Sequence, residues 1–189
     1  TKDEHDVRLC ISAGEPLPSD LLARWQGTFG VDILDGLGTT EMLHIFVSNR
    51  PDEITPGSTG RVVPGYQIRL INDNNEVCAP GEMGVLEVSG PSSALMYWGQ
   101  RQKTKDTFKG TWTRTGDNYS ISEKGVMTYG GRNDDMLKVG GIYVSPFEVE
   151  AALIKHEAVL EAAVVGNNDQ DGLVKPKAFI VLNKNFTGS

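Results

Sequence analysis

Short apolar runs broken by glycine and proline, with a few stretches at helical spacing, make up the 189 residues. The first run, at 7–11, carries Val7, Leu9 and Ile11 and ends in Ser12, Ala13 and Gly14, which predicts a buried strand entering a tight turn. Over 16–29, Leu17, Leu21, Leu22 and Trp25 fall at helical spacing and Gly30 stops the pattern, so a helix is expected there. A second apolar run at 31–34 predicts another buried strand. Strand, helix, strand makes a βαβ unit of a parallel sheet with a right-handed crossover.

From about Pro56 the grammar changes to short runs at 67–71, 84–89, 111–114 and 126–129 between many glycines and prolines. This predicts a small distorted antiparallel β-barrel with turns at 72–75 and 123–125. A short polar helix is expected over 101–108. After Gly130, Gly131 and Arg132 comes a helix start with a mechanism: Ser145 caps, Pro146 fits the first helical position and Glu148 closes a capping box. That helix carries Val149, Ala152, Leu153 and His156 on one face. Strands at 162–165 and 178–182 complete the start of a small α+β domain. The expected fold is therefore mixed α/β and α+β. It comprises the end of an α/β nucleotide-binding subdomain (1–55), a β-barrel subdomain (56–133) and the start of a mobile C-terminal domain (134–189) with its hinge near Asp134.

Composition narrows the function classes. A formal charge of −7 leaves no basic footprint for nucleic acid, and no run of 18 or more apolar residues exists to span a bilayer. Cys10 and Cys78 stand far apart without a CxxC pair, which fits small hydrophobes in a reducing compartment, so the cytoplasm is expected. The lack of an initiator Met, a first apolar run that starts almost at once and the stop just after a strand-like segment lead to the expectation that the chain is a fragment.

Four segments offer chemistry, each with a plainer reading beside it. At 35–41 (Asp-Gly-Leu-Gly-Thr-Thr-Glu) a buried strand delivers glycines, two hydroxyls and a carboxylate to the carboxyl edge of a parallel sheet, where ligands bind. Gly36 and Gly38 would admit close backbone approach, Thr39 and Thr40 would face a phosphate and Glu41 would hold Mg²⁺. The plain reading is a glycine-rich loop before a helix cap. At 12–16 (Ser-Ala-Gly-Glu-Pro), Gly14, Glu15 and Pro16 offer a flat surface to a ring, or simply a proline-built helix entry. At 114–117 (Arg-Thr-Gly-Asp), Asp117 suits ribose hydroxyls, or merely forms a turn. At 130–146, acidic residues among glycines suit a hinge, or an ordinary loop with a solvated Asp pair.

Taken in order and spacing, these segments resemble successive core motifs of the adenylate-forming superfamily of acyl-CoA synthetases, adenylation domains and luciferases. Within that match, the stretches 35–46, 96–98 and 160–166 are most similar to benzoate- and hydroxybenzoate-CoA ligases. The resemblance implies two half-reactions: carboxylate and ATP give acyl-AMP and pyrophosphate, then the coenzyme A thiol displaces AMP. It assigns Gly14, Glu15, Pro16, Asp35 and Gly36 to the adenine, with Leu37, Gly38 and Thr39 also in the nucleotide site. Thr40 meets phosphate, Glu41 binds Mg²⁺, and Asp117 and Arg132 hold the ribose. Thr40, Glu41 and Lys138 carry the catalytic roles, Lys138 in the second half-reaction. Asp134 is the hinge, Gly140 and Gly141 flank the pantetheine path of coenzyme A, and Gly36, Gly38 and His44 border an aromatic-acid pocket. His44 also reads as a packed or solvent-facing histidine, and Trp98 and Trp112 as barrel packing.

Leu37 stands where many members have Tyr, and an apolar residue there suits an aromatic acid. The Ser/Thr/Gly-rich phosphate loop and the C-terminal catalytic lysine are not in the sequence, so turnover by the chain alone is not expected. The related alternatives are an adenylation domain loading a carrier protein and a non-catalytic nucleotide-binding module of the same fold. The implied partners are an aromatic carboxylate, ATP and coenzyme A; oligomeric state is not legible.

Overall fold

The computed structural model describes residues 4–170 and 173–186; the ends of the expected first and third regions, 1–3 and 187–189, lie outside them. Strand β1 (Cys10–Ala13) runs parallel to β2 (Ile33–Gly38), with Cys10 opposite Ile33 and Ala13 opposite Gly36. This is the expected βαβ pairing, displaced by three residues at its start. Helix α1 (Ser19–Phe29) lies between them. It begins later than the apolar spacing implied because Pro18 holds an extended backbone (φ −61°, ψ 134°), leaving Leu17 outside the helix. Gly30 ends it at φ 68°, its N–H bonding the Gln26 carbonyl at 2.9 Å.

The glycine-rich stretch expected as a loop is mostly strand: β2 continues through Gly36, Leu37 and Gly38. There it pairs antiparallel with β3 (Ile45–Ser48), which in turn pairs with β4 (Arg61–Val62).

A second, antiparallel sheet contains β5 (Gln67–Ile71), β6 (Met83–Ser89), β7 (Phe108–Lys109) and β8 (Trp112–Ile121) in the order β5-β6-β8-β7. Strand β9 (Met127–Arg132) pairs with β8, and α2 (Arg101–Thr107) precedes β7. The turn at 72–75 forms as expected, with Asn75 at φ 61° and the Asn72 side chain accepting from the amides of Asn74 and Glu76, both at 2.9 Å. Met42, Phe46, Val47, Leu70, Leu86, Val88, Tyr119 and Met127 make one buried cluster from both sheets. Trp112 packs as expected, its ring lying under the Arg69 guanidinium at 4.2 Å, but Trp98 stands 91% exposed and is not barrel packing.

The chain up to Tyr129 forms one compact unit, Thr1–Tyr129, and Gly130–Ser189, which begins within β9, forms another. In the second, β10 (Leu137–Val139) and β11 (Ile142–Val144) make a hairpin, and α3 (Pro146–Ile154) packs on β12 (Val159–Asn168), which pairs antiparallel with β13 (Val174–Leu182). Ser145 caps α3 as expected, accepting from the Glu148 N–H at 3.3 Å. Val149 and Leu153 are half-buried while Ala152 and His156 are exposed, so the inward face is narrower than the spacing implied. The Glu150 carboxylate instead turns inward and accepts from the Val164 amide at 2.7 Å.

Candidate active site

Parallel pairing sets Ser12 beside Asp35 and Ala13 beside Gly36 at the carboxyl ends of β1 and β2. The chain leaves β1 through Gly14, whose φ of 95° excludes most side chains although a Cβ would meet nothing. Gly14, Glu15 and Pro16 then line an open cleft of about 460 Å³ with Ser12, Leu17 and Leu21. The strand pairing brings the first two segments to one sheet edge, while the cleft itself is lined by the first segment alone. Asp35 is buried, and its Oδ1 has no hydrogen-bond partner among the described residues. Burial pushes its carboxyl above the ordinary value, offset in part by the backbone amides of Leu17 and Gly36.

Beyond Asp35 the glycines have a reason that the sequence did not reveal. A Cβ on Gly38 would lie 2.7 Å from the His44 carbonyl oxygen and 3.0 Å from the Ile45 nitrogen. On Gly36 it would meet the Ile45 side chain at 3.1 Å. Both residues admit β3, whatever else they admit. Leu37 is half-buried and packs on the core, which accounts for much of its apolar character.

Thr39 introduces a single 3₁₀ turn, Thr40–Met42. Met42 is fully buried and pins this turn to the core, while Leu43 (φ 72°, ψ −40°) closes a γ-turn in which the His44 N–H bonds the Met42 carbonyl at 2.9 Å. Positive φ at a leucine is strained, and such strain gathers at functional sites.

The segment after β6 grips this turn three times. The Ser92 hydroxyl donates to the Met42 carbonyl at 2.6 Å, the Ala94 N–H donates to the Glu41 carbonyl at 2.7 Å, and the Tyr97 hydroxyl donates to Glu41 Oε1. Desolvation would raise the Glu41 carboxyl. The hydrogen bond from Tyr97, the favourable dipoles of its own amide and the nearby Thr39 hydroxyl, and the charge of Lys103 together outweigh it and hold the group below the usual carboxylate range. One ionised carboxylate beside Thr39 and Thr40 suits Mg²⁺, which retains waters and takes one or two carboxylates with substrate phosphates. No cluster of three or more metal-ligating side chains occurs among the described residues.

His44 is exposed and both its ring nitrogens are engaged: Nδ1 lies 2.8 Å from the Ile45 carbonyl and Nε2 2.9 Å from Tyr66 Oη. The Tyr66 hydroxyl also meets Ser92 Oγ at 2.8 Å.

The expected turn at Arg114–Asp117 is a bulge inside β8. Val85 pairs with Asn118 and Glu87 with Arg114, so Thr115, Gly116 and Asp117 bulge opposite Leu86, with Gly116 at φ 80°. Glu87, 2% exposed, anchors the bulge through Arg114 at 3.5 Å and Arg69 at 2.7 Å. Asp117 itself is buried. Burial strongly raises the neighbouring Tyr119 phenol, the Thr59 hydroxyl opposes this at 3.2 Å, and the charges of Asp117 and Asp35 add to the rise. The two acidic residues predicted for adenine and ribose thus share one buried phenol as neighbour.

In the second unit, Arg132 is exposed at the end of β9 and Asp134 sits in a 3₁₀ turn, Asn133–Asp135. Lys138 is exposed on β10, its Nζ 5.7 Å from the Tyr143 ring. Gly140 (φ 58°) and Gly141 (φ 89°) form the two-residue turn of the β10–β11 hairpin, a conformation that itself calls for glycine.

Tyr97, Ser92, Tyr66, Lys103 and Tyr119 were not picked out from sequence as site residues. Their site partners lie 22 to 62 positions away, beyond any local pattern, and the one available signal was a cluster of hydroxyl-bearing residues in a loop bounded by Gly90 and Gly99.

The family model for AMP-binding enzyme matches residues 1–98, and that for the AMP-binding enzyme C-terminal domain matches residues 148–188. The chain belongs to the AMP-binding enzymes. It is 60% identical over 181 residues to a benzoate–CoA ligase of Thauera aromatica, covering 95% of this chain and 34% of that protein. It is 55% identical over 176 residues to a 4-hydroxybenzoate–CoA/benzoate–CoA ligase of Rhodopseudomonas palustris, covering 93% and 33%. A crystal structure of an anthranilate CoA ligase with anthranoyl-AMP superposes with a TM-score of 0.88 at 49% identity, over 97% of this chain and 36% of that one. The chain therefore spans about a third of the length of the AMP-binding enzymes it matches. No helix among the described residues is long and apolar enough to cross a membrane.

Proposed function

We propose that this chain is the later part of a cytoplasmic, ATP-dependent aryl-CoA ligase acting on benzoate or a hydroxybenzoate. The observation that carries this is the meeting of the Gly14–Pro16 edge with Asp35 and Gly36, followed within one turn by an ionised Glu41. The likeness to ligases of benzoate and hydroxybenzoate supports the aromatic acid.

In the first half-reaction a carboxylate oxygen attacks the α-phosphorus of ATP, the bond to the bridging oxygen breaks and pyrophosphate leaves. In the second, the coenzyme A sulfur attacks the acyl carbon and AMP departs with the bonding electrons. The protein supplies positioning and charge stabilisation more than a nucleophile. The Gly14–Pro16 backbone and Gly36 flank the adenine, and the unpaired Asp35 Oδ1 accepts from its amine. Asp117 and Arg132 hold the ribose hydroxyls, and Thr40 donates to phosphate. Glu41 would hold Mg²⁺, whose charge neutralises the phosphates. Gly36, Gly38 and His44 border the acid, and Lys138 with Gly140 and Gly141 serves thioester formation.

The test is pyrophosphate release and thioester formation by the full-length protein with a panel of acids. Benzoates are expected to lead by at least about 100-fold in kcat/KM over aliphatic acids, since an apolar pocket gains affinity with each ring carbon buried. Preference for a fatty or amino acid sinks the assignment, and inertness towards free coenzyme A would point to a carrier protein.

A hinge at Asp134 makes a separate prediction. Asp134→Pro should leave adenylation within about twofold of wild type and cut thioester formation by about tenfold or more, because proline restricts the backbone rotation between the two steps. Equal loss in both steps would remove the hinge.

A further inference from the structure

We propose that Tyr97 is a positioning residue that presents the Glu41 carboxylate to the divalent cation of the nucleotide. This rests on Glu41 being the cation ligand. Met42 and the Ser92 and Ala94 hydrogen bonds fix the backbone of the Thr40–Met42 turn, and neither bond touches the carboxylate. A glutamate on a fixed backbone still has three side-chain torsions to settle. The Tyr97 hydroxyl is the grip that reaches Oε1 and settles them.

The phenol is itself held in place without help from Glu41. The Tyr97 N–H donates to Thr104 Oγ1 at 3.0 Å, and that hydroxyl is tied by its own donation to the Gln100 carbonyl at 2.9 Å. The ring packs on Phe108 with centroids 5.5 Å apart, and Lys103 Nζ lies 4.2 Å over its face. Helix α2 therefore sets the phenol, and the phenol sets the carboxylate.

The chemistry of the donor matters as much as its place. A phenol donates one hydrogen bond and brings no charge, so the carboxylate keeps its full attraction for a cation. With one lone pair of Oε1 occupied, the remaining sites of the carboxylate stay available. A lysine or arginine there would compete with the cation for that charge. Lys103 adds positive potential from across the ring without pairing with the carboxylate. Ligating carboxylates are commonly oriented in this way by a second hydrogen-bonding residue, and loss of such a residue weakens metal affinity by roughly 10–100-fold.

The experiment uses the full-length protein with ATP present and Mn²⁺ as the probe, its free concentration followed by electron paramagnetic resonance. Tyr97→Phe keeps the ring against Phe108 and removes only the hydroxyl. Its Mn²⁺ affinity should fall about tenfold, and the Mg²⁺ concentration for half-maximal pyrophosphate release should rise by a similar factor. The rate at saturating Mg²⁺ should stay within about twofold, a split that a merely structural role would not produce. On a Glu41→Gln background, removal of the hydroxyl should cause no further loss of Mn²⁺ affinity. Unchanged Mn²⁺ affinity in Tyr97→Phe, or a loss that persists in the double variant, overturns the positioning role and leaves the ligand assignment standing. Wild-type Mn²⁺ affinity in Glu41→Gln alone overturns the ligand assignment and this proposal with it.

Discussion

Glu41→Gln should lower pyrophosphate release by the full-length protein about 100-fold or more at saturating acid and ATP, the scale of losing one preorganised charge at a phosphoryl centre. The amide preserves shape, and its oxygen can still accept from Tyr97, so the Thr40–Met42 turn keeps its backbone bonds to Ser92 and Ala94. What disappears is the negative charge. Because Glu41 is held below the ordinary carboxylate value by Tyr97, Thr39 and Lys103 against its desolvation, it stays ionised through the neutral range. Whatever its charge contributes is present above the usual carboxylate pKa and is lost only as pH falls through its depressed folded value. An acid limb assigned to Glu41 should therefore lie below the ordinary glutamate range. Pyrophosphate release within threefold of wild type in Glu41→Gln would remove Glu41 from the chemistry.

Local signals were the legible ones. Ser145, Pro146 and Glu148 encode a helix start within four residues, and the capping bond forms between neighbours. Asn72 builds its turn from its own side chain. The parallel partnership of β1 and β2 could be read because two apolar runs flank a helix of the right length. Glycine misled where its cause was distant. Gly36 and Gly38 read as a loop because their neighbour, β3, follows only after an intervening turn, and Gly116 read as a turn although it sits in a bulge paired with β6. The carboxylates at 35, 41 and 117 were visible as residues, but their surroundings were not. The phenol on Glu41 comes from 56 positions away, and the one beside Asp35 and Asp117 belongs to Tyr119. The exposure of Trp98 shows the same limit, since its sequence offers a large apolar ring and nothing about what stands next to it.

Gly38→Ala should be among the most damaging single-methyl additions in the first unit. The added carbon would lie 2.7 Å from the His44 carbonyl oxygen and 2.8 Å from its carbonyl carbon, and both are backbone atoms that cannot rotate away. At Gly36 the nearest atoms, 3.1 Å away, belong to the flexible Ile45 side chain, which can yield by a few tenths of an ångström. Overpacking of this kind costs about 1–3 kcal/mol, so Gly38→Ala should stand at the upper end and Gly36→Ala at the lower. The damage should also travel. Displacing His44 and Ile45 strains the γ-turn at Leu43 and, through Met42, the turn that carries Glu41. Gly38→Ala is thus expected both to melt several degrees early and to lose adenylation by about tenfold at temperatures where it remains folded. Gly36→Ala should melt closer to wild type than Gly38→Ala, since its Cβ would press on the Ile45 side chain and the Val47 carbonyl oxygen at 3.1–3.3 Å, and a loss in its nucleotide affinity is expected from the proposed place of Gly36 beside the adenine. Paired melting curves and ATP titrations on the two variants separate these causes. Equal melting temperatures for the two would mean that the approach of β3 to Gly38 is not what requires a glycine there.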